Sequence, residues 1–177
     1  MKNKDFKSIV HWNSKGFQKI VEFYLFECPV EGKSFRATTF KQQGWKGHYF
    51  STLKSCMLKA ASEDLGKRFF PCKKEELESR ITAMDDVAPD AEYCVFLKHD
   101  NKVIESLYSA IRNGFAHGSF TTQKVKKENI YFFANYDGYL KAQIQLREST
   151  MLRWIEIFRS NPEELKSQNQ RAKKKRS

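Results

Sequence analysis

The chain has 177 residues, with fifteen Phe, seven Tyr and three Trp, enough for one domain with a hydrophobic core and too aromatic for a disordered polypeptide. No run of 18 apolar residues occurs and no apolar region follows Met-Lys-Asn-Lys-Asp-Phe-Lys at the start, so neither a membrane span nor a secretory leader is expected, and the compartment expected is the cytoplasm. The formal net charge is +11, of which residues 166–177 supply +6 without an acid, so an anionic partner is expected, RNA first.

Residues 9–27 read as a first helix. Val10, Phe17, Ile20, Val21, Tyr24 and Leu25 form one stripe, Gly16 weakens it, and Pro29 and Gly32 stop it. Residues 30–46 mix Phe35, Phe40 and Trp45 with Thr, Gln and Gly and read as loop or a short turn. A second helix is predicted from Tyr49 to Lys67, with Gly66 and Pro71 at its exit, and a short charged helix from Lys73 to Met84. Asp85-Asp86 and Pro89-Asp90 break the chain. Tyr93-Cys-Val-Phe-Leu97 is an apolar run of strand length, which periodicity alone does not separate from a buried helical turn.

An amphipathic helix comes next. Val103, Ile104, Leu107, Tyr108 and Ile111 recur at helical spacing, with Asp100 or Asn101 as the start signal and Gly114 and Gly118 near the end. After it the period changes to two. Asn129–Ala134 and Leu140–Leu146 read as strands, joined through Asn135-Tyr-Asp-Gly138, whose Asp-Gly pair suits a hairpin turn. Glu148–Arg159 closes the pattern as a helix with Met151, Leu152, Ile155 and Phe158 inward, Trp154 in the core or on a dimer surface, and Pro162 beyond its end. The expected architecture is α+β, mainly α: an antiparallel helical bundle with a β-hairpin after the motif helix. One domain spans residues 1–165, followed by a basic tail, 166–177, expected to be disordered, in which Lys173, Lys174, Lys175 and Arg176 are candidate RNA contacts.

Several chemistries find no support. Cys28, Cys56, Cys72 and Cys94 are scattered, with no Cys-x-x-Cys pair and no histidine at ligand spacing, so free buried thiols are expected, with no metal and no cofactor. There is no Gly-x-x-x-x-Gly-Lys, Gly-x-Gly-x-x-Gly, His-Glu-x-x-His or Gly-x-Ser-x-Gly. Asp85-Asp86 lacks a third carboxylate, and His48 and His99 read as solvent-facing, with the alternative for His99, just before the motif helix, that it reaches the site.

The informative stretch is Ser-Ala-Ile-Arg-Asn-Gly-Phe-Ala-His-Gly-Ser-Phe, residues 109–120. Asn113 and His117 are four apart and share a helical face. Arg112 and His117 are five apart and point roughly 140° away from each other in a straight helix. They meet in one protomer only if the helix bends or ends near Gly114; otherwise they meet counterparts across a symmetric dimer. A guanidinium grips phosphate oxygens, an imidazole moves protons near neutral pH, and an amide orients a neighbour. Glu105, seven before Arg112, either orients it or is simply exposed; Ser109 is a candidate groove residue, while Tyr108 belongs with the core.

Arg-Asn-Gly-Phe-Ala-His resembles the Arg-x4-His signature of the HEPN (higher eukaryotes and prokaryotes nucleotide-binding) superfamily, in the branch typical of plasmids and mobile elements. The specific match covers residues 100 to 158, and the first half agrees only in general character. The resemblance implies a HEPN-like bundle and a metal-independent endoribonuclease in which the RNA 2′-hydroxyl attacks the adjacent phosphate. Arg112, Asn113 and His117 would be catalytic, and Glu105, Ser109, Gly114 and Gly118 supporting. It also implies a homodimer with a composite site, a toxin or phage-defence role, and an antitoxin or other regulatory partner. The alternative is a non-catalytic HEPN module that binds nucleotide or RNA or regulates a partner.

Overall fold

The computed structural model describes residues 14–32, 34 and 38–174, with side chains described as far as residue 168. The expected helix start at residues 9–13, together with Phe35, Lys175 and Arg176, lies outside the described residues. So do the side chains of Lys173 and Lys174.

A five-stranded mixed sheet, not a helical bundle, organises the chain. Its strands are β1 (Phe69–Cys72), β2 (Tyr93–Leu97), β3 (Phe120–Val125), β4 (Glu128–Asp137) and β5 (Tyr139–Arg147), in the order β1-β2-β5-β4-β3. β1 and β2 are parallel, and the remaining pairs are antiparallel. The helices are α1 (Lys15–Glu22), running on into a wider π-helical turn (Phe23–Glu27), α2 (Tyr49–Ala60), α3 (Lys74–Thr82), α4 (Val103–Ala116), α5 (Glu148–Arg159) and α6 (Pro162–Lys174). The mainly helical bundle expected from the sequence is thereby overturned: the predicted hairpin is the β4–β5 part of a larger sheet.

The physical reason is that three of the five strands send weak signals. β1 carries Pro71, which is admissible because β1 is an edge strand. β2 is buried on both faces, so its residues do not alternate in polarity. β3, Phe-Thr-Thr-Gln-Lys-Val, has few apolar residues because it too is an edge. The parallel β1–β2 pair needs a crossover, and α3 provides it.

Period-two alternation along β2 feeds two cores. Cys94 and Phe96 join Tyr131 and Phe133 of β4 and Ala142, Ile144 and Leu146 of β5 on the face covered by α1, α2, α4 and α5. Tyr93 and Val95 face the other side, where α3 lays Leu77 and Ile81 beside Cys72. The loop before α2 is part of the large core. Trp45 is fully buried and its Nε1 donates to the Phe158 carbonyl at 2.8 Å. Trp154 is core rather than surface, its Nε1 donating to the Met57 carbonyl at 2.8 Å. All four cysteines are buried free thiols.

Polar anchors close the elements onto each other. Glu92 is buried and accepts from the Ser62 amide at 2.8 Å and the Arg147 amide at 3.0 Å. Glu148, at the start of α5, accepts from Asn129 Nδ2 at 3.0 Å and from the Tyr131 hydroxyl at 2.9 Å. A Cβ on Gly16 would lie 2.3 Å from Glu148 Oε1, so the glycine that weakens the first helical pattern is what lets α1 approach this carboxylate. The expected disordered tail is helical to Lys174: α6 opens on Asn161, whose Oδ1 accepts from the Glu163 amide at 2.9 Å, and Pro162 occupies the first helical position. Leu165 packs against the main core.

Candidate functional site

α4 is amphipathic along its whole length. Ile104, Leu107, Tyr108, Ile111 and Phe115 are buried, and the helix begins after Lys102 rather than at Asp100 or Asn101. Asp100 takes a positive φ of 51° in the preceding loop. The helix stays regular through Gly114. That glycine is buried against β4: a Cβ there would lie 2.5 Å from Phe133 Cδ1 and 3.2 Å from Asn135 Oδ1. Gly114 therefore sets how closely α4 lies on the sheet and does not end the helix.

The end comes at His117. The Ser119 amide donates to the Gly114 carbonyl at 2.8 Å, the Gly118 amide to that of Phe115 at 3.3 Å, and Gly118 has φ +64°. This is the paired-bond terminus that a left-handed glycine makes possible. It leaves the His117 side chain exposed at the last turn.

Between α4, the C-terminal end of β2 and the β4–β5 hairpin lies a cleft of about 410 Å³. Ser109, Asn113 and His117 line it from α4, His99 and Leu97 from the β2 side, and Asn135, Tyr136, Asp137 and Lys141 from the hairpin. The loop holding His99 is fixed by Ser106, whose hydroxyl donates to the Lys102 carbonyl at 2.7 Å and accepts the His99 amide at 3.0 Å. Ser106 and His117 are separated by about 16 Å along the helix axis at ~1.5 Å per residue. The His99 backbone is therefore anchored near the first turn of α4, and His117 stands at its last.

At the His117 end, Lys141 pairs with Asp137. Lys141 holds the Asp137 carboxyl below its usual range; desolvation opposes this, and His117 adds a smaller lowering. Asn135 Nδ2 donates to the Ala110 carbonyl at 2.6 Å, while its Oδ1 is buried without a partner among the described residues.

The structure brings Asn113, His117 and Ser109 to one cleft. Arg112 does not line it. The side chain is half-buried, with Nη1 3.5 Å from Asn113 Oδ1 and a buried Nε that has no partner among the described residues. Arg112 thus stands one long contact behind the cleft, through Asn113. Glu105 pairs with Lys102 at 3.6 Å and is not an Arg112 partner. His99, read from the sequence as solvent-facing with the site as the alternative, lines the cleft, whereas Asn135, Tyr136, Asp137 and Lys141 escaped the sequence reading as site residues, although the Asp-Gly turn already placed a hairpin after the motif helix. Among the described residues, no group of three or more His, Cys, Asp and Glu is placed to hold a metal ion, and no helix is long and apolar enough to cross a membrane. No protein-family model, curated protein or solved structure matches this chain.

Proposed function

We propose that the protein is an RNA-directed, metal-independent endoribonuclease acting at the His117 end of the cleft. The observation that carries this reading is that Asn113 and His117 share one open polar cleft with Lys141, while Arg112 contacts Asn113 from behind. The net charge of +11 and the local resemblance of residues 109–120 to the HEPN motif support it, and the resemblance is to the motif and not to the architecture.

In this reading the 2′-hydroxyl of RNA attacks the adjacent phosphorus and the 5′-oxygen leaves, giving a cyclic phosphate and a 5′-hydroxyl. His117 accepts the 2′-hydroxyl proton and returns a proton to the leaving oxygen, a role worth on the order of 10²–10⁴ in rate. Asn113, with Oδ1 turned toward Arg112, offers its Nδ2 hydrogens to a phosphate oxygen. Lys141 supplies positive charge beside the developing phosphorane. Arg112 acts as a positioning residue within one protomer. A homodimer apposing two copies of the motif would add a guanidinium to each site.

The test is cleavage of RNA in excess chelator by the wild type, Arg112→Ala and His117→Ala, with matched DNA as control. RNA-only cleavage that is lost in both variants while their melting temperatures hold supports the reading. Cleavage regained on mixing the two variants identifies a site shared between protomers. A second reading, a module that binds RNA without cutting it, is favoured by Arg112 lying outside the cleft lining, and predicts binding with no cleavage in the same assay.

A further inference from the structure

Tyr136 is 72% exposed, and Phe26 is the other exposed large hydrophobic among the described residues. An aromatic ring left in water at that extent has no core to serve. Tyr136 lines the cleft, beside Asp137 and Lys141 and across from Asn113 and His117.

Its backbone is paired within the sheet. The β4–β5 register shifts between Asn135 and Tyr136, where Lys141 of β5 is the extra residue, and Tyr136 then pairs with Leu140. The preceding Asn135 is tied to α4 by its 2.6 Å bond to the Ala110 carbonyl. A sheet-paired strand thus offers a largely exposed aromatic ring at the edge of the cleft.

We infer that the cleft selects unpaired RNA, with one extruded base stacking on Tyr136 while its phosphate reaches toward Asn113 and His117. The inference rests on the RNA reading proposed above and adds the substrate's strandedness. Stacking on an aromatic side chain needs a free base face, which a paired helix does not offer. The volume of about 410 Å³ lies at the lower end of ligand pockets, a size for a single nucleotide rather than a duplex.

The experiment measures binding of a 2′-O-methylated oligomer, inert to 2′-hydroxyl attack, as a single strand and as a blunt duplex. Wild type, Tyr136→Phe, Tyr136→Leu and Tyr136→Ala are compared by fluorescence anisotropy. Single-strand affinity should fall by roughly 5- to 150-fold in the Leu and Ala variants and survive in Phe, with duplex binding weak and unchanged throughout. Equal affinity for duplex, or single-strand binding indifferent to Tyr136, overturns the inference. RNA cleavage with that indifference overturns strandedness alone; Tyr136-dependent binding without cleavage overturns the nuclease reading and leaves this one standing. No binding of either form overturns both.

Discussion

Two polar clusters sit at the margins of the same hydrophobic core. Around Glu148, Asn129 and Tyr131 both donate to the carboxylate, and Gly16 removes the one Cβ that would keep α1 away. Burial and then Glu148 push the Tyr131 hydroxyl well above its ordinary pKa, as expected of a phenol committed to donating. Around His117 the accounting stays open: among the described residues Asn113 has one long contact and Asn135 Oδ1 has no partner, and the imidazole is exposed. The first cluster consumes its hydrogen-bonding capacity in holding elements together. The second leaves an exposed imidazole and the Asn113 amide lining a cleft that a ligand can occupy, which is what separates a binding site from a structural polar one.

The comparison breaks most visibly at His117. His117→Ala should lower cleavage by roughly 10²–10⁴-fold while thermal stability changes by no more than about 0.5 kcal/mol, because the side chain is exposed. A parallel loss of stability would move His117 into the structural class. Gly114→Val comes next. Its side chain is driven onto the Phe133 ring, and overpacking of that kind costs about 1–3 kcal/mol, visible as a lower urea midpoint. Because the same change lifts α4 off the hairpin, RNA binding should weaken with it.

Tyr131→Phe is the converse control at the closed cluster. It deletes one donor to Glu148 and should cost about 1 kcal/mol in unfolding measurements while leaving RNA cleavage untouched. A change in cleavage would mean the two clusters are coupled. The smallest effect belongs to Asp137→Asn. Since Lys141 lowers the Asp137 pKa, the pair's contribution is present above the ordinary carboxylate range and disappears as pH falls through the depressed value. Wild-type and variant melting temperatures should therefore differ slightly at neutral pH and converge in strong acid. A gap that persists there would exclude this ion pair as its cause.

Much of this could be read from the chain before any coordinates. Helical spacing marked α4 and α5, and the Asp137-Gly138 pair marked the β4–β5 turn. The four-residue interval between Asn113 and His117 correctly put them on one face. The sheet was only half legible, because β1 and β3 are edges with weak patterns and β2 is apolar throughout. α6 was missed although Asn161-Pro-Glu-Glu carries a helix start, since the basic composition beyond it suggested a solvated tail. At Gly114 the sequence leaves a helix end and a close approach both open, because glycine's two uses, release of φ and removal of Cβ, look alike in a sequence; here the second applies.

What the amino-acid order determined by itself is local: the periodicity that buries one side of α4, the left-handed glycine that ends it at His117, and the excess of positive charge. Which groups then face those residues was decided by tertiary structure alone. His99 comes from the end of β2, and Tyr136, Asp137 and Lys141 come from the hairpin, brought there by a strand order that runs β2-β5-β4. Periodicity reports which side of an element is apolar, but not which other element that side will meet. Pairing across the sheet depends on the summed burial of segments distant in sequence, so the neighbours of His117 exist only in the folded chain.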